Sequence, residues 1–195
     1  MPAIVFATGN DNKVREANAA LNGAFEIIGL RDIGCEEELP ETSPTLEGNA
    51  LEKARYVYRN YHVDCFSEDT GLEVDALGGA PGVYSARYAG PANDAEANMA
   101  LLLSNLKGEK KRNARFRTVI ALILDGKEYT FEGAVEGAVI HIKKGSGGFG
   151  YDPVFMPKGF NRTFAQMSVE EKNAISHRGQ AVARLKAFLT EKAGG

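Results

Sequence analysis

The sequence lacks an excess of positive charge. Its 195 residues carry 23 lysines and arginines against 26 aspartates and glutamates, a formal net charge of -3. Because proteins that bind nucleic acid broadly usually present a clear basic excess, this balance argues against a nucleic acid polymer as the partner. One local basic cluster, between Lys107 and Arg117, is interpreted as a solvated loop that leads into a strand.

Interdomain linkers, paired cysteine motifs and long apolar segments are also missing. No Pro-rich or Ser-rich stretch divides the chain, and its hydrophobic content of 44% suffices for one core, so residues 1–195 are expected to form a single domain. The two cysteines, Cys35 and Cys65, have no CxxC spacing. With no recognisable signal peptide or membrane span, the protein is expected to be cytoplasmic, with no membrane partner.

A glycine fingerprint is present without the elements that usually surround it. Residues 145–150 read Gly-Ser-Gly-Gly-Phe-Gly and match G-x-G-x-x-G. A dinucleotide-binding loop joins a first strand to a helix, whereas this run comes late and leads into residues 154–157, which are expected to be extended. We therefore interpret it as a flexible loop that approaches a flat ligand, with Phe149 stacked on a base; a plain glycine-rich turn is the alternative.

The order of the hydrophobic patterns predicts an α/β fold. Strands are expected at residues 2–7, 25–30, 63–67, 116–124 and 128–139, the last two flanking the hairpin signal Asp125-Gly126. Helices are expected at residues 13–21, 46–61, 94–106 and 179–192. Because parallel and hairpin pieces coexist, the sequence predicts a mixed central β-sheet flanked by helices.

The segment Thr8-Gly9-Asn10-Asp11-Asn12-Lys13 lies between the first strand and the first helix. Backbone amides and the helix dipole favour an anion at such a position, and a polyphosphate would suit it. The segment lacks the closing Gly-Lys-Ser/Thr of a Walker loop. A plain N-cap by Asn10 or Asp11, with Lys13 merely exposed, is the alternative.

Two adjacent carboxylates, Glu68 and Asp69, follow the strand predicted at 63–67. Open α/β sheets hold their ligands at the carboxyl ends of strands. A hard divalent cation explains two like charges there, because Mg²⁺ is commonly shared between one or two carboxylates and substrate phosphates. Glu41 is a candidate second protein ligand.

Two further segments offer cationic side chains. On the helix 46–61, Asn49 and Lys53 are four residues apart and share a face, which could turn toward phosphates or toward solvent. Near the C-terminus, Lys172, His177 and Arg178 surround a helix start, although an adjacent His-Arg pair is commonly surface decoration.

Taken together and in order, the motifs resemble those of the inosine triphosphate pyrophosphatase family, the Ham1-like or RdgB-type enzymes. The resemblance spans nearly the whole chain and rests on these segments: Thr8-Gly9-Asn10 with Lys13, Glu47-x-Asn49-Ala50-x-x-Lys53-Ala54, Glu68-Asp69-Thr70-Gly71-Leu72, the run from Ala76 to Arg87, the run from Gly147 to Pro153, and Ser176-His177-Arg178-Gly179.

The resemblance implies a Mg²⁺-dependent homodimer that hydrolyses ITP, dITP and XTP to the monophosphate and pyrophosphate. It implies an active site in a cleft between two lobes, with Glu41 and Asp69 as metal ligands and Asp69 also as proton acceptor. The substrate residues that it implies are Thr8, Gly9, Asn10, Asp11, Asn12, Lys13, Lys53, Thr70, Phe149, Gly150, Tyr151, Asp152, Lys172, His177 and Arg178.

The chain departs from the commonest family pattern at two places that bear on this site. Glu68-Asp69-Thr70 replaces an Asp-Asp-Ser run, which keeps both charges and the hydroxyl. Ser43-Pro44 stands where a glycine is usual, so the placement of Glu41 depends on a different local backbone.

The resemblance suggests a mechanism in which water attacks the α-phosphorus in line. Asp69 or a hydroxide on the metal would remove its proton, and pyrophosphate would leave. Donors such as His177 and Arg178 would select purines with a 6-carbonyl over adenine, and GTP would be excluded at its 2-amino group. The alternatives are a non-catalytic nucleotide sensor, which would have no use for Glu41 and Asp69, and a dinucleotide-dependent oxidoreductase.

Overall fold

A computed structural model describes residues 2–194, and it confirms the α/β class with a mixed sheet. The strands are β1 (Ala3–Phe6), β2 (Glu26–Ile28), β3 (Cys65–Val74), β4 (Asn113–Leu124), β5 (Lys127–Val139) and β6 (Phe155–Pro157). They form one sheet in the order β2-β1-β3-β4-β5-β6. β1 pairs in parallel with β2 and β3, whereas β5 pairs antiparallel with β6.

The helices are α1 (Asp11–Leu21), α2 (Leu46–Tyr61), α3 (Ala95–Asn105), α4 (Val169–Asn173) and α5 (His177–Gly194). α2 has the bounds that the sequence predicts. α5 begins two residues earlier than predicted, so His177 and Arg178 open the helix. α4 was not predicted; a capping box between Ser168 and Glu171 starts this short helix. Within residues 2–194, no helix is long and apolar enough to span a membrane.

The prediction that the third strand ends at residue 67 is wrong. β3 continues to Val74, so Glu68 and Asp69 lie inside the strand rather than beyond it. The extension has a physical basis, because Leu72 and Val74 are fully buried in a hydrophobic cluster and continue the alternation of the strand.

The hairpin between β4 and β5 turns at Asp125-Gly126, as predicted. Both residues have positive φ, 50° and 74°. A two-residue hairpin turn of type I′ needs positive φ at both central positions, which aspartate tolerates and glycine adopts readily.

The chain groups into two compact units, each with its own core. The first unit contains the residues up to Asp69, Thr118–Gly133 and the residues from Arg178 onward. The second unit contains Thr70–Arg117 and Ala134–His177. The single-domain assignment of residues 1–195 stays a prediction.

In the first unit the sheet is covered on both faces. Ile4, Phe6, Phe66, Ile120 and Leu122 pack against α1 and α5. Their neighbours in sequence, which include Val5, Cys65 and Ala121, pack against α2. Since side chains alternate along a strand, each of these strands supplies both layers of the core.

The second unit has one aromatic core. Phe116, Phe155 and Phe164 are in mutual ring contact, with centroids 4.7 to 6.0 Å apart. They belong to a buried cluster with Leu102 of α3 and Tyr151. This core supports the segment that carries the glycine run.

Candidate active site

The pleat of β3 sends its two acidic side chains to opposite faces of the sheet. Cys65 and Ser67 donate hydrogen bonds to the carbonyl oxygens of Ala54 and Ala50 in α2, so odd-numbered residues face that helix. Phe66 packs with the α1 and α5 layer. Because side chains alternate with a period of two, Asp69 joins the α2 face and Glu68 joins the opposite one.

Glu68 lies in a buried ionic network of the first unit. The Arg178 guanidinium binds it through Nε at 2.7 Å and Nη2 at 3.0 Å, and Nη1 donates to Glu16. Lys13 Nζ lies 2.9 Å from Glu68 Oε1. Burial raises the pKa of Glu68, but Arg178 and Lys13 outweigh burial and hold that pKa well below its usual range. Glu68 is therefore an anion whose charge is balanced by protein cations.

Asp69 has a different environment, although it is the next residue. Its Oδ2 accepts a hydrogen bond of 3.2 Å from Asn49 Nδ2, and its side chain is largely buried. Burial raises the pKa of Asp69 above its usual value, even though Lys53 and Lys13 oppose that shift; the charge of Glu41 adds to it. A carboxylate with a raised pKa takes up a proton more readily than an ordinary aspartate.

Glu41 and Lys53 form an ion pair beside these groups. Lys53 Nζ lies 2.5 Å from Glu41 Oε1 and donates to the backbone carbonyl of Glu68 at 2.7 Å. The Lys53 side chain is 8% exposed and that of Glu41 is 36% exposed, so only the carboxylate faces water substantially. The alternative in which Lys53 merely faces solvent is therefore wrong.

The candidate metal ligands, Glu41 and Asp69, are too few to fill the coordination shell of a metal ion with protein atoms alone. Among residues 2–194, no cluster of three or more His, Cys, Asp or Glu side chains could hold a metal ion. Glu41 and Asp69 nevertheless fit Mg²⁺, because this ion usually takes one or two carboxylates and completes its shell with water and phosphate oxygens.

The segment between β1 and α1 forms a capped helix start. Asn10 Oδ1 accepts from the backbone amides of Asn12 at 3.0 Å and Lys13 at 3.4 Å, and Thr8 Oγ1 accepts from the Asn10 amide. The N-cap role of Asn10 is thereby confirmed. Lys13, however, is only 16% exposed and pairs with Glu68, so it is not a plain surface lysine.

In the second unit, Asp152 and Lys172 form a buried ion pair under the glycine run. Asp152 Oδ2 accepts from Lys172 Nζ at 2.7 Å and from the Phe149 amide at 3.1 Å. The Lys172 ammonium lies 4.9 Å from the centroid of the Phe149 ring and 5.5 Å from that of Phe164. The pair therefore fixes Phe149 and its loop.

Three glycines of this run lie closely packed against other parts of the protein. A Cβ on Gly145 or Gly147 would crowd the backbone of Ala165, and one on Gly148 would overlap the Asp152 carboxylate. The Gly147 amide donates to the Ala165 carbonyl at 2.9 Å. At these three positions the lack of a side chain is required by packing against the protein itself. Approach of the run to a flat ligand stays a prediction. A Cβ on Gly150 would meet no other atom within 4 Å, and the φ of this residue is 60°.

Other residues of the predicted substrate set are distributed as follows. The Tyr151 hydroxyl donates to the Ser85 carbonyl at 2.6 Å, and the ring belongs to the core. His177 is 2% exposed and stacks on Phe116 at 4.7 Å, so it is not surface decoration. Thr70 is half-buried in β3. Contacts of these three residues with substrate stay predictions.

Two residues outside the predicted set bond directly to predicted site residues. Asn49 is fully buried and bonds Asp69; its four-residue spacing from Lys53 was the available signal. Glu16 is 1% exposed and bonds Arg178. The sequence gives no clear signal for this role, because the burial of Glu16 is visible only in the fold.

Comparison of the sequence with known proteins finds close relatives. A sequence model of the Ham1 family matches residues 4–188. The chain is 51% identical over 187 residues to a dITP/XTP pyrophosphatase of Flavobacterium johnsoniae, covering 96% of this chain and 97% of the relative. It is 53% identical over 190 residues to a dITP/XTP pyrophosphatase of Porphyromonas gingivalis, covering 97% and 98%.

Solved structures lead to the same family. The Ham1 protein of Staphylococcus aureus superposes with a TM-score of 0.87 at 37% identity, over 97% of this chain and 99% of that one. A HAM1 protein of Coxiella burnetii superposes with a TM-score of 0.89 at 35% identity, over 98% and 100%. In sequence and in fold alike, the chain belongs to the Ham1 family.

Proposed function

We propose that this protein hydrolyses the noncanonical purine nucleoside triphosphates ITP, dITP and XTP to the monophosphate and pyrophosphate, and so removes them from the nucleotide pool. The names of relatives that share half of its residues support this activity. The observation that carries the proposal is the grouping of acidic and cationic side chains around Asp69, a largely buried carboxylate that is bonded by Asn49 and lies near the Glu41–Lys53 ion pair. A nucleotide sensor would have no use for such a group.

Glu41 and Asp69 would hold Mg²⁺ in this proposal. When bound, the ion supplies positive charge that stabilises the phosphate oxygens during the reaction. Glu68 is assigned no contact with the metal, because its carboxylate is fully buried and Arg178 and Lys13 bind both of its oxygens. Glu41 also pairs with a cation, Lys53, but it is partly exposed.

The chain's own residues perform the remaining tasks. The segment Thr8–Lys13 and Lys53 bind the triphosphate, and Asp69 accepts the proton of the attacking water. An oxygen–phosphorus bond forms at the α-phosphate while the bond to the bridging α–β oxygen breaks, and pyrophosphate leaves. This reaction needs positioning and charge stabilisation rather than a covalent nucleophile.

Residues of the second unit and the start of α5 would bind the base: Thr70, Phe149, Gly150, Tyr151, Asp152, Lys172, His177 and Arg178. Phe149 would stack on the purine, and donors would face its 6-carbonyl. Residues 1–195 would work as one catalytic domain and as a cytoplasmic homodimer, with no nucleic acid polymer or membrane partner. The cleft between two lobes also stays a prediction.

Hydrolysis of ITP in ¹⁸O-labelled water tests the proposed bond cleavage and the metal together. We expect one labelled oxygen in IMP and none in pyrophosphate, because water attacks the α-phosphorus. Activity should vanish with a chelator and return with Mg²⁺. Label in the pyrophosphate, release of single phosphates, or full activity with the chelator would contradict the proposal.

A further inference from the structure

Three consecutive loop residues are bound by three residues of α2. Each loop residue has its own partner, and the order along the loop is the reverse of that along the helix. The pairs are Glu41 with Lys53 at 2.5 Å, Thr42 with Glu52 at 2.5 and 2.7 Å, and Ser43 with Asn49 at 2.8 Å. Contacts with α2 therefore fix the conformation of the loop that contains Glu41.

Glu52 and Thr42 are joined by two hydrogen bonds. One Glu52 oxygen accepts from the Thr42 backbone amide and the other accepts from its hydroxyl. The Thr42 side-chain and backbone hydrogen bonds hold the pKa of Glu52 below its usual value, so the group is a carboxylate. Glu52 therefore fixes both the backbone amide and the hydroxyl of Thr42, the residue next to Glu41.

The loop also lies unusually close to the first turn of α2. A Cβ on Gly48 would overlap the Ser43 side chain, so any other residue there would force Ser43 to move. Asn49 extends the connection, because its Oδ1 accepts from the Ser43 amide while its Nδ2 donates to Asp69. Close packing and hydrogen bonds together give the segment one defined path.

We propose that Glu52 is a positioning residue for metal binding: it holds Thr42 and thereby fixes the Glu41 carboxylate in the place where it binds the cation. This inference rests on the proposed function, in which Glu41 and Asp69 hold Mg²⁺. Glu41 is 36% exposed and comes from a loop. When the loop is ordered in advance, metal binding no longer carries the entropic cost of ordering it. Loss of the Glu52–Thr42 hydrogen bonds therefore lowers metal affinity and leaves kcat at saturating metal nearly unchanged.

The test compares Glu52→Leu, which removes both acceptors, with Glu52→Gln, which keeps one. Glu128→Gln is the matched control, because Glu128 is also an exposed carboxylate bonded twice to α2, through Arg55, but does not touch the loop. ITP turnover is measured across a Mg²⁺ titration. We expect the half-saturating Mg²⁺ concentration to rise about five- to tenfold in Glu52→Leu and less in Glu52→Gln, with kcat at saturating Mg²⁺ within about twofold of wild type.

A second readout does not depend on turnover. Mn²⁺ binding without nucleotide, followed by electron paramagnetic resonance, should weaken in the same order, and Glu128→Gln should match wild type in both assays. An unchanged half-saturating concentration in Glu52→Leu would overturn the inference. So would a fall in kcat that excess Mg²⁺ does not restore, or an equal shift in the control. Wild-type turnover without any divalent cation would instead overturn the proposed function, so the two failures are distinguishable.

Discussion

Replacing Asp69 with asparagine is expected to lower kcat for ITP by about a thousandfold. Asparagine has nearly the same shape but cannot accept a proton from water, and it is a weaker metal ligand. Asp69 is largely buried and accepts a hydrogen bond from Asn49, which fixes the orientation of its carboxylate. Pyrophosphate release under saturating ITP and Mg²⁺ measures the change.

The matched control for this variant is Asp64→Asn. Asp64 precedes β3 and accepts a hydrogen bond from the Asp125 amide, which an asparagine oxygen can also accept. The control should retain wild-type kcat, and both variants should keep wild-type circular dichroism. Near-normal turnover by Asp69→Asn with bound Mg²⁺ would contradict the assignment of Asp69 as the proton acceptor.

Replacing Arg178 with methionine is expected to lower the free energy of unfolding by about 3 to 5 kcal/mol. Arg178 is 1% exposed and binds both Glu68 and Glu16, which are equally buried. Removing the guanidinium leaves two carboxylates without their main counter-charge, and a methionine side chain cannot bond them. Urea unfolding at neutral pH gives the difference.

Arg55→Met is a suitable comparison, because Arg55 makes the same two-bond contact with Glu128 at the surface. Its side chain is 42% exposed, so the loss should be about 1 kcal/mol or less. Equal losses in the two variants would contradict the structural role assigned to Arg178.

Much of the fold could be predicted from local patterns. The apolar stripe predicted α2, and Asp125-Gly126 predicted the hairpin, because each signal depends on neighbours in the chain. The end of β3 could not be predicted in this way. Its polar run continues as a strand only because Leu72 and Val74 find a core made of distant residues.

The different roles of Glu68 and Asp69 could not be predicted from the motif. The partner of Glu68 is Arg178, 110 positions away, and the sequence shows only two adjacent acids. Their separation follows from β3 continuing through them, since one strand step turns a side chain to the other face. The packing of the glycine run could not be predicted either, because Gly145 and Gly147 pack against the backbone of Ala165, which is distant in the sequence.

Substrate choice is the most direct test of the assigned activity. The measurement is kcat/KM for pyrophosphate release from ITP, dITP, XTP, ATP and GTP with Mg²⁺. ITP, dITP and XTP should exceed ATP by about a hundredfold, because donors that face a 6-carbonyl are left unpaired by an amino group. GTP should also be poor. Equal kcat/KM for ATP and ITP would contradict the assignment.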